Sequence, residues 1–264
     1  MEKEKIKEME EKKEVVEVEK VEEKEEAVEV AEPQLIRTRE IRKTRDEMDM
    51  ERIEEGVRNW VPKTKAGKLV KDGKIKDIDE ILDGGIKVME AEIVDSLLKV
   101  KPDFLNIGQS KGKFGGGKRR AWRQTQKKTK EGNVPTFACL CVIGDGNGHV
   151  GLGYGRAKET LPAREKSVRD AKLNIIKVKR GCASFDCSCQ EKHTIVKKIT
   201  GKSGSITLKL FPAPQGTGLV VGDELKKILK MAGIKDIYGQ TFGDSRTTIN
   251  MANACIDALR KASK

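Results

Sequence analysis

The chain has 264 residues, enough for one or two domains, but 36% of them are charged and only 4% are aromatic, so much of the chain must stay in water. A net charge of +12 favours a polyanionic partner, whereas the lack of any run of about 18 apolar residues and of an apolar secretion signal argues against a membrane-spanning or exported protein. We therefore expect a cytoplasmic protein with no membrane partner and with reduced cysteines.

Residues 1–32 form an acidic tail that contains 14 Glu and 7 Lys. Its net charge of −7 leaves +19 on the remainder of the chain. A segment with so few apolar residues favours a disordered or fluctuating helical tail. The alternative is an acidic arm that competes with RNA for the basic remainder.

Residues 33–133 are expected to form an extended or helical arm. Their Arg-rich first part favours a helix, a short helix should run from a cap at Asp77 to a stop at Gly84, and another lies between Glu90 and Leu98. These pieces are too small to form a core of their own, so we expect them to lie over a partner or over the later domains.

Within this arm, residues 111–130 are a flexible basic segment with nine Lys or Arg, no acid and three consecutive glycines. This composition favours contact with an RNA backbone, and the alternative is a simple linker. The predicted phosphate contacts are Lys111, Lys113, Lys118, Arg119, Arg120, Arg123, Lys127, Lys128 and Lys130.

Residues 134–180 are predicted to form a small α+β domain, in which a strand over 137–143, a glycine-rich turn and a second strand precede a helix that begins near Thr160. Leu161, Val168, Ala171 and Ile175 follow helical spacing and predict a buried stripe on this helix.

The second strand alternates large apolar residues with glycines, which leaves one of its faces without side chains. We expect this bare face to let RNA or a neighbouring chain approach the backbone. Its predicted contacts are Gly151, Gly153 and Gly155.

Residues 146–151 match the glycine pattern of dinucleotide-binding loops, but that site requires a helix to follow, and a strand follows here. The sequence also shows no group of residues that stands out as a nucleophile with its base or as a pair of catalytic carboxylates. We therefore expect that the protein is not an enzyme.

The loop over 181–193 contains three thiols and an imidazole: Cys182, Cys187, Cys189 and His193. This ligand set suits tetrahedral zinc, and four protein ligands would make the site structural because no position stays open for a substrate. The usual pair of cysteines with two residues between them is missing, so reduced surface cysteines are the alternative. Cys139, Cys141 and Cys255 lie in apolar patterns and are predicted to be core residues.

Residues 194–264 are predicted to form a second α+β domain with the order β-β-α-β-α. Its helix over 223–231 and its closing helix near 249–259 carry apolar stripes, and a strand is expected over 234–238. The loop over 212–218, together with Ser245, Arg246 and Thr247, should offer RNA backbone amides, hydroxyls and one positive charge.

Three stretches closely resemble the uS5 family of small-subunit ribosomal proteins: CVIGDGNGHVGLGYGRAKE, KITGKSGSITLKLFPAPQGTGLVVGDEL and SRTTINMANACIDAL. The resemblance covers about residues 124–262. The stretch WVPKTKAGKLVKDGKIKDIDEI extends it upstream and looks like the archaeal form, as does the Cys/His set. One departure is Arg164, which stands where related sequences usually have a bulky apolar residue. The resemblance therefore does not fix which face of that helix packs on the sheet.

The resemblance implies an α+β fold, in which a domain like double-stranded-RNA-binding domains is followed by an S5-type C-terminal domain. It implies binding to ribosomal RNA (rRNA) near the decoding region, with a contacting hairpin loop near 126–134. It also implies a place beside proteins uS4 and uS8, near the point where messenger RNA (mRNA) enters, and a role in translational accuracy. The alternative is a free accessory protein that binds double-stranded RNA.

Overall fold

The computed structural model describes residues 45–110, 119–182, 187–189 and 191–263, except for the side chains of 45–50 and 52. The chain divides into two units, residues 1–56 and 57–264. Helix α1 (Arg45–Arg58) begins in the first unit, where a helix was expected. The predicted acidic tail over 1–32 lies outside the described residues. Everything that follows concerns the second unit.

The second unit begins with three short helices: α2 (Lys65–Lys71), α3 (Ile78–Asp83) and α4 (Ala91–Leu97). Their apolar side chains form a small cluster that includes Ile175 from the later domain. The arm therefore packs on the later part of the chain, as predicted. Asp77 holds the N-cap position of α3, although its side chain makes no capping hydrogen bond.

The first sheet is built around one long central strand. Its strands are β1 (Lys101–Phe104), β2 (Trp122–Thr129), β3 (Gly132–Gly144), β4 (His149–Ala157) and β5 (Ile175–Lys177). Strand β3 pairs antiparallel with β1, β2 and β4, and β5 extends the sheet beyond β4. Helix α5 (Thr160–Leu173) follows β4 and packs on it.

Two predictions for this region need correction. The sheet starts before residue 134, because β1 and β2 both belong to it, and the second half of the basic segment is a paired strand instead of a flexible arm. On α5, Leu161 is 64% exposed and Val168 is partly buried, whereas Ala171 is buried as predicted. Ile175 is also buried, but it lies on β5 and not on the helix. The helix thus meets the sheet with a narrower apolar stripe than its spacing indicated.

The second sheet has the predicted β-β-α-β-α order with one additional short strand. It contains β8 (Ile199–Ser203), β9 (Ile206–Pro212), β10 (Leu219–Val220) and β11 (Ile237–Phe242), which lie in the order β10-β11-β9-β8. Helices α6 (Asp223–Met231) and α7 (Thr248–Ser263) complete this half. The strand expected over 234–238 lies three residues later. The short strands β6 (Arg180–Gly181) and β7 (Thr194–Ile195) pair between the two halves of the unit.

One apolar core runs through both halves. Leu140 and Val142 of the first sheet belong to the same buried cluster as Ile228 and Leu229 of α6 and Leu259 of α7. The regions 134–180 and 194–264, which the sequence presents as two domains, therefore share their interior. The three cysteines predicted to be core residues are fully buried, and burial raises the pKa of Cys141 and of Cys255 to about 12.

A histidine joins the arm to the first sheet. His149 contacts Asp145 through Nδ1 at 2.6 Å and Asp79 of α3 through Nε2 at 2.8 Å. Lys177 also reaches this cluster, with Nζ 3.0 Å from Asp79 and 2.8 Å from Asp83. The hydrogen bond to Asp145 is the main reason why the pKa of His149 is raised, and the bond to Asp79 adds to it, although burial opposes both. Burial acts to raise the pKa of both carboxyls, but their hydrogen bonds with His149 hold these values below the ordinary one.

Replacement His149→Gln is expected to destabilise the fold more at about pH 5.5 than at about pH 8.5. Because folding raises the pKa of this imidazole, its charged form contributes stability that is fully present below the ordinary value and is lost as pH rises through the folded value. The loss at the lower pH should be about 1.5–3 kcal/mol, as for hydrogen bonds to charged groups. Urea unfolding at both pH values measures it. Lys74→Gln, which removes an exposed charge, should show no such dependence, and equal losses at both pH values would contradict the assignment.

Candidate nucleic-acid interface and metal site

A groove of about 1180 Å³ lies between β2 and the segment that leads into α7. We call it the basic groove, because four arginines and no acid are found among the described residues that line it. Five of its lining residues were predicted as RNA contacts: Arg119, Arg120, Arg123, Arg246 and Thr247. They come from segments more than 120 positions apart in the sequence, and the fold brings them to one surface.

The groove is shaped by local backbone bonds on both sides. On one side, the backbone N of Gly108 donates to the carbonyl of Arg120 at 2.9 Å, which holds the chain before β2 in place. On the other side, Asp244 accepts from the backbone N of Arg246 at 3.2 Å and from the hydroxyl of Thr247 at 3.0 Å. Hydrogen bonds within the protein therefore order the backbone of both walls before a ligand binds.

The remaining basic residues of β2 lie on a hairpin. Strands β2 and β3 pair from Trp122 with Cys139 to Thr129 with Gly132, and the tip over 130–131 is exposed. Lys127, Lys128 and Lys130 are exposed on this hairpin. Its position agrees with the loop that the resemblance placed near 126–134. Ser245 is exposed beside the basic groove, whereas Lys111, Lys113 and Lys118 lie outside the described residues.

An arginine secures the base of the hairpin. The guanidinium of Arg164 on α5 lies 5.4 Å from the ring centre of Phe104 and 5.4 Å from that of Trp122. Such contacts with two aromatic faces are favourable for a weakly hydrated cation. This face of α5 therefore lies towards the two rings, and Arg164 is partly buried against β1 and β2.

The prediction for the glycine face of β4 is wrong. A Cβ atom at Gly151, Gly153 or Gly155 would overlap backbone atoms of Ala163, Ser167 or Ala171, all on α5. The three glycines are buried. The absence of side chains at these glycines lets α5 pack closely against β4. Because α5 covers this face, neither RNA nor a neighbouring chain reaches it.

The predicted zinc ligands do come together. The ligand atoms of Cys182, Cys187, Cys189 and His193 all lie within 4.8 Å of one another. The Sγ atoms of Cys182 and Cys189 are 3.7 Å apart, and Cys187 Sγ lies 3.6 Å from Nε2 of His193. Two ligands of a tetrahedral zinc ion with bonds of about 2.0–2.3 Å stand about 3.5–3.8 Å apart, so these spacings fit a metal. The Sγ atoms of Cys187 and Cys189 are closer, at 2.9 Å.

A second layer of hydrogen bonds orients the imidazole. His193 is 1% exposed, and its Nδ1 lies 2.8 Å from Oδ2 of Asp236. The other oxygen of Asp236 accepts from the backbone N of Gly218 at 2.8 Å. A carboxylate behind the far nitrogen is the usual support for a metal-binding histidine, because it directs Nε2 towards the ion.

The thiols of the cluster differ in their proton affinity. The hydrogen bond with Cys189 is the main cause that lowers the pKa of Cys187 to about 6. The same bond raises the pKa of Cys189 to about 11. One of the two sulfurs therefore carries a negative charge near neutral pH, which is the form that binds a metal ion.

Sequence reasoning missed two contributors to these sites. Trp122 both lines the basic groove and supports Arg164, and the signal for it was its position as the lone aromatic within strand β2. Asp236 follows His193 by 43 residues, and no local pattern connects the two. The contact between this carboxylate and the histidine depends on the tertiary fold, so the spacing of residues in the sequence does not predict it.

Comparison with known families matches both halves of the unit. Residues 121–179 match the N-terminal domain of ribosomal protein S5, and residues 201–264 match its C-terminal domain. These matches confirm the predicted α+β class with two S5-type parts in this order.

Curated relatives extend the match across most of the chain. It is 47% identical over 208 residues to small ribosomal subunit protein uS5 of Nanoarchaeum equitans, which covers 78% of this chain and 89% of the relative. The protein of the same name from Methanobrevibacter smithii is 45% identical, with 78% and 91% covered. The one from Staphylothermus marinus is 44% identical, with 80% and 92% covered. Within the described part of the chain, every helix is too short or too polar to cross a bilayer.

Proposed function

The chain belongs to the ribosomal protein S5 family, and we propose that it binds the rRNA of the small ribosomal subunit through the basic groove and the exposed hairpin. It is a structural constituent of that subunit and of the cytoplasmic ribosome, as relatives named uS5 are. Those relatives are named as ribosomal proteins and not as enzymes, which agrees with the expectation from the sequence.

The basic groove supports the RNA-binding proposal most strongly. Four arginines line one open space, and a guanidinium group can donate two parallel hydrogen bonds to a phosphate. Since no acidic side chain is among the described lining residues, no internal carboxylate competes with a phosphate. The lysines of the hairpin extend the positive surface from the groove to the exposed tip.

Simultaneous replacement of Arg119, Arg120 and Arg123 by Ala is expected to weaken RNA binding and to flatten its salt dependence. Each phosphate contact steepens the slope of log K against log salt by about 0.7–0.9, so the triple variant should lose up to about 2–3 units of slope. Fluorescence anisotropy with a labelled rRNA fragment, measured across a salt series, gives both quantities.

The matched control replaces Lys68, Lys74 and Lys87 with Ala. It removes the same charge from exposed positions on the arm, outside the basic groove. Equal changes of slope in the two triple variants would show that only net charge matters, and would contradict the assignment of RNA binding to the basic groove.

The family resemblance also supports a finer placement near the decoding region and the point where mRNA enters. In this proposal uS4 and uS8 are the neighbouring proteins, and the chain contributes to translational accuracy. Chemical cross-linking of intact small subunits should return both neighbours. Cross-links from this chain that reach other ribosomal proteins and never these two would contradict the placement.

We propose that Cys182, Cys187, Cys189 and His193 hold a structural zinc ion. The four ligand atoms already converge, and Asp236 supports the histidine. When bound, zinc would tie the loop over 182–193 to β7 and, through Asp236, to the chain that leads into β11.

Cys187→Ser is expected to lower the zinc content from about one ion per chain to well below one and to reduce the melting temperature. The physical reason is that a serine hydroxyl is a far weaker zinc ligand than a thiolate. Zinc is measured by elemental analysis of the purified protein. Cys139→Ala changes a buried cysteine outside the cluster and should keep the full content. Wild-type protein free of zinc would remove the metal proposal and leave the RNA proposal intact.

The alternative of a free accessory protein that binds double-stranded RNA differs in one observable. A ribosomal constituent sediments with small subunits in a sucrose gradient, whereas an accessory protein remains near the top. The matches to uS5 over most of the chain favour the ribosomal protein.

A further inference from the structure

We propose that the outer face of the second sheet is a stacking surface for unpaired bases of single-stranded RNA. We call this surface the aromatic face. It consists of outward-pointing side chains on β8, β9 and β11, together with Lys198, which directly precedes β8. Its central residues are Lys198, Lys209, Phe211, Tyr238 and Phe242. The inference extends the proposed RNA binding to a surface outside the basic groove, and therefore rests on the proposed function.

The sheet separates its side chains into two sets. Residues Ile206, Leu208 and Leu210 of β9 are fully buried in the shared core, whereas the residues between them are partly exposed. On β11, Ile237 is buried but Tyr238 is exposed. Because neighbours along a strand point to opposite faces, the outer set of the two strands lies on one surface.

The pairing register brings the aromatic side chains of the outer set together. Tyr238 of β11 is directly opposite Phe211 of β9, and Phe242 is opposite Thr207. Tyr238 and Phe242 are each 42% exposed, a large fraction for aromatic rings in a chain with ten aromatic residues. Tyr238 and Phe242 are separated by roughly 13 Å along the strand, which leaves room for separate bases.

Positive charges accompany the rings. The ammonium of Lys198 lies 4.7 Å from the ring centre of Phe211, and that of Lys209 lies 4.6 Å from the ring centre of Phe242. Lys202 is exposed on β8 of the same sheet. The sequences of β8, β9, β10 and β11 contain no Asp or Glu. Both ammonium groups lie over ring faces at the ends of long side chains, so they can swing aside when a base stacks on the ring and then neutralise its phosphate.

These observations favour single-stranded RNA over a protein partner. A protein interface of this kind would be expected to exclude lysine from its centre, whereas here Lys209 lies between Phe211 and Thr207 in the middle of the face. Duplex RNA is also disfavoured, because its bases are already stacked and paired. A sheet that presents aromatic rings among basic side chains is a general solution for binding unpaired bases.

The face also lies close in sequence to the basic groove. Phe242 ends β11, and Arg246, which lines the groove, follows four residues later. A single RNA strand in contact with the groove therefore needs a short span to reach the aromatic face.

The test uses the full-length protein and an end-labelled single-stranded uridine oligonucleotide. The variant combines Tyr238→Leu and Phe242→Leu, which keeps apolar volume but removes both rings. Its affinity should fall at least about tenfold, because stacking of each base contributes substantially to binding. Its salt slope should stay unchanged, because no charge is lost. An affinity equal to that of the wild type, with an unchanged melting temperature, overturns the proposal.

Tyr154→Leu is the matched control. Tyr154 is 45% exposed on β4, outside the aromatic face, and its loss should leave affinity within about twofold of the wild type. The arginine triple variant of the basic groove separates the two proposals, because it flattens the salt slope, which the aromatic variant does not change. If the triple variant binds normally and the aromatic variant does not, the groove proposal fails alone.

If the aromatic variant unfolds, photo-cross-linking tests whether RNA contacts the aromatic face. Wild-type protein with a 4-thiouridine oligonucleotide should yield cross-linked peptides that contain Tyr238 or Phe242. Cross-links confined to other peptides would overturn the proposal. In intact small subunits, attachment of this face to another protein and not to RNA would overturn it as well, in favour of a protein interface.

Discussion

The contact between α6 and the turn that connects β3 and β4 determines how the first and second sheets of the second unit are placed. A Cβ at Gly144 would overlap the backbone of Met231, and one at Gly233 would overlap that of Gly146. Gly146 donates to the carbonyl of Met231 at 3.0 Å, and Arg180 donates to the carbonyls of Gly146 and Gly233, both at 3.2 Å. Backbones that interlock this closely allow little relative movement, so both halves behave as one rigid support.

This fixed placement explains how the proposed RNA-binding surfaces arise. One wall of the basic groove comes from β2 in the first half, and the other comes from the segment before α7 in the second. Neither half forms the groove alone. Further bonds across the junction hold the walls at a constant separation: the backbone N of Asn106 donates to Glu224 at 2.9 Å, and Lys227 donates to the carbonyl of Phe104 at 2.7 Å. A rigid surface binds a folded polyanion with a smaller loss of conformational entropy than a flexible arm.

The Cys/His cluster strengthens the same junction from another side. It lies in the connection between β6 and β7, and His193 binds the second half twice, since its carbonyl accepts from the backbone N of Lys235 at 2.9 Å and its ring contacts Asp236. A metal ion held there would fix a connection that has few apolar side chains of its own. In the proposed arrangement, zinc would support the proposed RNA-binding surfaces and would have no role in chemistry.

The sequence by itself determined the local features: the α+β order, the buried thiols, the grouped cysteines and histidine of the proposed zinc site, and the basic hairpin. Each of these depends on spacing within a few residues. It also determined the positive charge that calls for a polyanion. Only the tertiary structure decided which faces of the strands are packed against other elements and which remain exposed to a partner. The glycines of β4 predict a close approach, but whether the partner is RNA or α5 depends on a helix folding back. The assembled groove, the pairing of His193 with Asp236 and the aromatic face depend on contacts between distant residues, which no local periodicity encodes.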